Sequence, residues 1–384
     1  MSSNVEEVET VHPLKTRTLQ PSIAFKKSSH GAYKAIMVKI GVLLISAIFA
    51  SSILISNAQA QGVSGLGLNT TLRTFGEDIK SMQELGVSRV RVPLQWQLVR
   101  IRPGKYDWST VDRLLKVAQM KNMEVLFTIR SLFREQTKKS RYQRDRIQTF
   151  STKVEKEEWI LFVEALATRY RGQGVNYEIE NEVNGDAFWK ETLEEYLELL
   201  RTGYDVIKKV DPQAKVLPSA MGCGIVHHFQ SDSVQQETWK WHDGWLQPIL
   251  STKKFDVVNI HNYYFPSEIV ANGLTFCSYL EHIRDLMKKL GVGDRPIWIT
   301  ETGYVSSPAD ASGRLDHSSP EKQAKWLTEA YQQAFEFGAE RIYWLLLRDR
   351  NEPYFGSMGL TDAKGSPRPA WNALGQFTKG KEGK

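Results

Sequence analysis

The chain has 384 residues, 41% of them hydrophobic and 24% charged, so it has the apolar content to bury a core and is not a disordered chain. A formal charge of +6 is by itself a weak signal, and the length suits one large α/β domain or two small ones. Two cysteines, Cys223 and Cys277, exclude a disulfide scaffold and a cysteine-based structural zinc site, and leave a single bridge open.

The first feature along the chain is the apolar run 40–55, IGVLLISAIFASSILI. It falls short of the roughly 20 residues that a spanning helix needs. Lys34 and Lys39 precede it and Ala58-Gln59-Ala60 follows, the pattern of a secretory signal with an A-x-A cleavage site. Residues 1–33 make a long lead, whereas a start at Met37 gives an ordinary signal. The expected division is an extension and signal over 1–60 and a folded domain over 61–380, periplasmic or secreted. The alternative is an uncleaved membrane tether through 40–55 that holds the same domain outside the cytoplasm.

After Gln61, apolar strand-like runs alternate with amphipathic helix-like runs, which predicts a parallel α/β fold. The eight strand candidates are 62–68, 88–94, 124–130, 176–180, 214–220, 255–261, 295–300 and 341–347. Between them, Ile79, Met82 and Leu85 share a helix face that Gly86 can end. Ser109 or Thr110 is placed to cap the next helix, over Val111, Leu114, Leu115 and Ala118. Thr192 and Glu195 have capping-box spacing ahead of Tyr196, Leu199 and Leu200. Ser319-Pro320-Glu321 is a helix start with proline at the first position. Residues 221–254 lack clean periodicity, and a long loop with a short helix is expected there. Eight such units fit a single (β/α)₈ TIM barrel. An open doubly wound sheet is disfavoured, because no G-x-G-x-x-G opens a strand–helix turn.

In such a barrel the functional residues stand at the C-terminal ends of the strands. Glu182 and Glu301 follow the fourth and seventh strand candidates, so they face each other across the mouth. One carboxylate can attack while the other protonates a leaving group, the arrangement that glycoside hydrolysis requires. Ordinary surface carboxylates at strand ends are the competing explanation for either glutamate taken singly.

Several stretches resemble the clan A glycoside hydrolases, retaining (β/α)₈ enzymes, most nearly those of families 39 and 5. YEIENEVN resembles the strand-four motif, PIWITETGY the strand-seven motif, VNIHNYY the strand-six motif and RVRVPLQW the second strand. PGKYDWSTVD and FGSMGLTDAKGSPRPAW resemble the loop after strand two and the end of the clan's domain. Val183 departs from the proline common after Asn-Glu, and Glu180 stands where an apolar or aromatic residue is usual. The resemblance implies Glu301 as nucleophile and Glu182 as acid/base. It implies Asn181 on the sugar hydroxyl next to the anomeric carbon, with Arg91, His261 and Tyr263 holding Glu301, and Trp344 as a floor for the sugar. It brings no cofactor and no metal. Trp96, Trp189, Trp239, Trp241 and Trp245 are candidates either for stacking on sugar or for packing.

Within NYEIENEVNG, Glu178 and Glu180 are expected inside the barrel below Glu182, paired with Arg91 or Arg130. His227 and His228 have no third ligand at a suitable spacing, so a zinc site is not expected there. The segment 130–146 carries Arg130, Arg134, Lys138, Lys139, Arg141, Arg144 and Arg146, with Arg348 and Arg350 after strand eight on the same side. Such a rim suits an anionic glycan, and equally a solvated loop. Nucleic acid is a poor partner for an exported barrel, and a monomer is expected. The function expected is an exported retaining glycosidase acting on a polysaccharide or oligosaccharide. The end of the chain soon after strand eight favours endo action. A non-catalytic carbohydrate-binding barrel and a transglycosylase with the same site are the alternatives.

Overall fold

A computed structural model of the chain describes residues 65–131, 133–134, 147–148, 153–185, 188–222, 232–263, 275–307, 318–352 and 355–379. The expected signal region and most of the basic segment after strand three, together with Cys223, His227 and His228, lie outside these. Among the described residues, no helix is long and apolar enough to cross a membrane.

Eight parallel strands form one sheet: β1 (Leu66–Asn69), β2 (Arg89–Gln95), β3 (Glu124–Arg130), β4 (Val175–Ile179), β5 (Val216–Pro218), β6 (Val258–His261), β7 (Ile297–Thr302) and β8 (Arg341–Trp344). Their order is β6-β7-β8-β1-β2-β3-β4-β5, so each strand neighbours the next in sequence. The two outer strands meet where Asp256 N donates to Val216 O at 2.8 Å and Asn259 Nδ2 donates to Pro218 O at 3.2 Å, giving a near-closed TIM-like barrel. All eight strand candidates overlap these strands, and four of them, at β1, β5, β6 and β8, run longer than the strands themselves.

Helices α1 (Phe75–Glu84), α2 (Ser109–Met120), α3 (Lys153–Arg169), α4 (Leu193–Val210), α5 (Asp232–Ser251), α6 (Phe276–Lys289), α7 (Pro320–Glu336) and α8 (Pro369–Lys379) complete the fold. Gly86 takes φ +70° just past α1, a conformation that costs a residue with a Cβ. Thr192 and Glu195 close the expected capping box on α4, and Ser319 caps α7 through Lys322 N. Ser109 and Thr110 are instead the first residues of α2. Asp107 Oδ1 accepts from Ser109 N at 2.9 Å and takes over the free amide that a cap would satisfy. The short helix expected within 221–254 is in fact the 20-residue α5. Gly244 and Pro248 lie inside it, and burial of His242, Leu246, Ile249 and Leu250 along one side holds the helix together.

The barrel interior is layered. At the N-terminal end Glu124 pairs with Arg89 at 3.0 Å and with Arg341 at 2.6 Å. Above it sits an apolar plug of Leu126, Leu217, Val257, Trp298 and Tyr343. Tyr343 fits because Gly67 faces it, where a Cβ would lie 2.3 Å from the ring. Above the plug the interior turns polar, with Asn69, Arg91, Thr128, Glu178, Asn259 and Thr300 all buried and joined by hydrogen bonds. This polar layer is the floor of the candidate site.

Candidate active site

Arg91 on β2 organises the floor. Its Nε donates to Glu178 Oε2 at 2.6 Å and its Nη1 to Asn69 Oδ1 at 2.9 Å and to Glu301 Oε1 at 2.6 Å. Its Nη2 donates to Asn181 Oδ1 at 2.5 Å. Burial disfavours the charged guanidinium, but Glu178 and Glu301 outweigh that and raise its pKa, so it is a fixed cation. Glu178 is itself saturated, since Thr128 donates to its Oε2 and Asn259 to its Oε1, each at 2.5 Å. A buried carboxylate with that set of donors is a structural counter-ion, as the sequence reading expected.

Glu301 lies within β7, opposite His261 on β6 where the register shifts. Its Oε1 is held by Arg91, and Tyr263 donates its hydroxyl to Oε2 at 2.9 Å. Burial raises the Glu301 pKa, but His261, Arg91 and the Tyr263 hydroxyl together carry it below the usual carboxylate value. The group is therefore ionised at neutral pH, as an attacking carboxylate must be. Burial, followed by the Glu301 and Glu182 charges, raises Tyr263 well above an ordinary phenol, so it remains a donor.

Glu182 stands past the end of β4. His261 Nδ1 lies 2.7 Å from Glu182 Oε1 and 3.6 Å from Glu301 Oε2. One ligand atom from each of Glu182, His261 and Glu301 falls within 4.8 Å of the other two. Burial lowers the His261 pKa, but Glu301 and Glu182 outweigh it and raise the value overall, which favours the imidazolium between two carboxylates. The Glu182 and Glu301 side chains keep 21% and 15% exposure, so both reach the solvent of the mouth.

The bend that delivers Glu182 is unusual. Glu180 and Glu182 take φ of +68° and +46°, the left-handed region that non-glycine residues avoid. Glu180 is fully buried. It accepts from Ser131 N, and from Arg130 Nε at 3.3 Å, while the Arg130 guanidinium also lies 4.9 Å over the Phe188 ring. Burial dominates and raises the Glu180 pKa, with Arg130 and Ser131 working against it. The partner predicted for Glu180 is thus present. Asn184 clamps the neighbouring loop: its Nδ2 donates to Gly222 O at 3.1 Å and its Oδ1 accepts from Gly222 N at 2.8 Å. Gly222 packs closely there: a Cβ would come within 3.2 Å of the Glu182 carboxyl carbon, and that side chain would have to give way.

Glu182, Glu301, Asn181, Arg91, His261 and Tyr263 therefore converge. Trp344 and Trp96 do not present a face to the mouth, and those two expectations are corrected. Tyr343 takes the inward position on β8, and side chains alternate, so Trp344 turns outward. It packs on Trp326 and Tyr331 of α7, at 5.9 and 6.4 Å, and donates Nε1 to Met358 O at 2.8 Å. Trp96 is buried against Phe162 and donates Nε1 to Ser131 O at 3.0 Å. Trp189 is also buried, packed on Tyr196 with Nε1 donating to Thr192 O at 3.1 Å. Asn69, Thr128 and Asn259, which hold Arg91 and Glu178, escaped the sequence reading. The inward parity of each strand around Arg91 was the signal available for them.

Solved structures with this fold include a family 39 glycoside hydrolase from the gut symbiont Bacteroides cellulosilyticus WH2, at TM-score 0.62 and 16% identity over 83% of this chain and 64% of that one. The family 39 enzyme from Xanthomonas axonopodis pv. citri aligns at TM-score 0.60 and 20% identity over 82% of this chain and 66% of that one. This chain thus spans less than two thirds of both. A GH5_18 enzyme from Streptomyces cattleya, solved in complex with GlcNAc, aligns at TM-score 0.57 and 17% identity over 83% and 81% of the two chains. No curated protein sequence matches the chain. The family model for cellulase (glycosyl hydrolase family 5) matches residues 56–347, and the chain belongs to that family, a glycoside hydrolase of clan A.

Proposed function

We propose that the protein is an exported retaining glycosidase that hydrolyses O-glycosidic bonds of a polysaccharide or oligosaccharide by double displacement, with Glu301 as nucleophile and Glu182 as acid/base. The observation that carries this reading is the pair of carboxylates past β4 and within β7, with oxygens within 4.8 Å of each other. A separation of about 5–5.5 Å between carboxyl groups suits retention, whereas inversion leaves about 6.5–9.5 Å for a water.

In the first half-reaction a Glu301 oxygen bonds to the anomeric carbon as the glycosidic C–O bond breaks, and Glu182 gives its proton to the departing oxygen. In the second, Glu182 takes a proton from water, the water oxygen bonds to the anomeric carbon, and the bond to Glu301 breaks. Arg91 and Tyr263 each hold one oxygen of Glu301, which fixes the direction of attack. Arg91 also occupies Asn181 Oδ1 and leaves the amide NH₂ to donate to the sugar hydroxyl beside the anomeric carbon. His261 sits against both carboxylates and couples their charges as the proton changes place. Tyr263 and Phe355, with ring centroids 6.2 Å apart, supply apolar faces near the cleavage point in place of Trp344.

Export rests on the apolar run 40–55 and the A-x-A after it. An anionic glycan is the charged variant of the same proposal, and it rests on the basic segment 130–146. Two cations of that rim are already engaged, Arg130 by Glu180 and Arg348 by Asp78 at 3.4 Å.

The test is a glycan panel with the wild type beside Glu301→Gln. Proton NMR should show the first-formed anomer with the substrate's configuration, and turnover below detection in the variant. An inverted first product, or full activity of Glu301→Gln, defeats the assignment.

A further inference from the structure

Away from the barrel mouth, two adjacent metal-ligating side chains of α5 meet a third from α6. His242 and Asp243 lie on α5 and His282 on α6. His242 Nδ1 is 2.9 Å from Asp243 Oδ1, and His282 Nε2 is 3.0 Å from each oxygen of the same carboxylate. One ligand atom from each residue falls within 4.8 Å of the other two.

We propose that His242, Asp243 and His282 form a binding site for a divalent transition metal of the zinc class, which clips α5 to α6. The chemistry of the donors sets the class. Two imidazole nitrogens with one carboxylate suit zinc and its neighbours, whereas calcium and magnesium take oxygen ligands. The spacing is suitable, because tetrahedral ligands at about 2.0–2.2 Å from an ion stand about 3.3–3.5 Å from each other. The observed nitrogen–oxygen separations of 2.9–3.0 Å need only a small opening to admit the ion.

Orientation and access agree with this. His242 is buried, and its Nε2 lies 3.1 Å from the Tyr279 hydroxyl on α6, so the outer nitrogen has a partner that turns the inner one toward Asp243. Such outer partners commonly orient metal-binding histidines. Asp243 and His282 keep 18% and 35% exposure, which gives an ion a path from solvent and leaves its fourth position to water. The site is distinct from the hydrolytic one, since none of its residues touches Glu182 or Glu301. No sequence spacing announces it, because Asp243 and His282 lie 39 positions apart on separate helices.

The full-length chain, stripped of metal with a chelator, is titrated with Zn²⁺ by calorimetry and melted with and without the ion. The expected result is one stoichiometric site and a higher Tm with zinc. His282→Ala should weaken that site at least tenfold and abolish the Tm rise, while the His227→Ala/His228→Ala pair leaves both unchanged. Glu301→Gln separates this site from the cluster in the barrel mouth. Zinc binding that vanishes in Glu301→Gln and survives in His282→Ala overturns the proposal. So does the absence of stoichiometric binding, which would make the triad a hydrogen-bonded latch only.

Discussion

The two halves of the barrel interior are built on opposite principles. The lower half, above the ion pairs of Glu124 at its base, is a plug of Leu126, Leu217, Val257, Trp298 and Tyr343, with no charge among them. The upper half is a buried polar network around Arg91, in which each hydrogen bond constrains the next. The plug gains free energy from area removed from water and tolerates some adjustment of shape. The network gains little net free energy from desolvated charges, but it holds directions that an apolar core cannot hold. The fold is thus secured at one end and aimed at the other.

Substitution at the hub separates the two principles most sharply. Arg91→Met should cost about 3–5 kcal/mol of stability, because Glu178 is left buried without its cation. It should also remove most of the activity, since Glu301 and Asn181 both lose a donor. Chemical denaturation and kcat/KM together would check this, and a stable, active Arg91→Met would break the contrast. Trp298→Ala, in the plug, should cost a similar 3–5 kcal/mol while kcat per folded molecule stays near wild type. A large fall in kcat with stability preserved would show that the plug also aims the site.

Glu180 gives a smaller effect with a definite sign. Its pKa is raised in the folded state, chiefly by burial, so its contribution to stability is present below its unfolded pKa. That contribution is lost as pH rises through the folded value. Melting temperatures across the weakly acidic range should therefore depend less on pH in Glu180→Gln than in the wild type. Identical pH profiles would remove Glu180 from the account. The smallest effect expected concerns charge at the rim. If the basic segment 130–146 recruits an anionic glycan, raising salt from low to physiological should lower kcat/KM on uronate-containing substrates and leave neutral ones unchanged.

What was legible in the sequence followed the same division. Strand positions were readable because the barrel strands fall in short, largely apolar runs between helix-like stretches, and the Thr192 box and Ser319-Pro320 start announce their helices locally. The six convergent site residues were readable because strand ends in a barrel share one mouth. Trp344 was misplaced because parity in β8 is set by the Gly67–Tyr343 contact, which joins residues 276 positions apart. Trp96 was misplaced because nearness to the mouth says nothing of which way a ring turns, and Phe162, on a later helix, covers it. Helix α5 was read as short because residues 221–254 lack clean periodicity, whereas the burial that holds the helix together is tertiary. The floor residues Asn69, Thr128 and Asn259 are small polar residues with no motif of their own, and only the position of Arg91 gives them meaning.

The left-handed turn at Glu180 and Glu182 has one more consequence. Glycine and asparagine occupy that region of backbone space at little cost, whereas each glutamate there gives up about 1–3 kcal/mol. On the acid/base role proposed for Glu182, drift at position 182 toward Gly or Asn would therefore leave the protein sturdier and silent. On that proposal, selection for turnover is what keeps a long acidic side chain at that corner, and a survey of stabilising substitutions in this chain would tend to find its way there first.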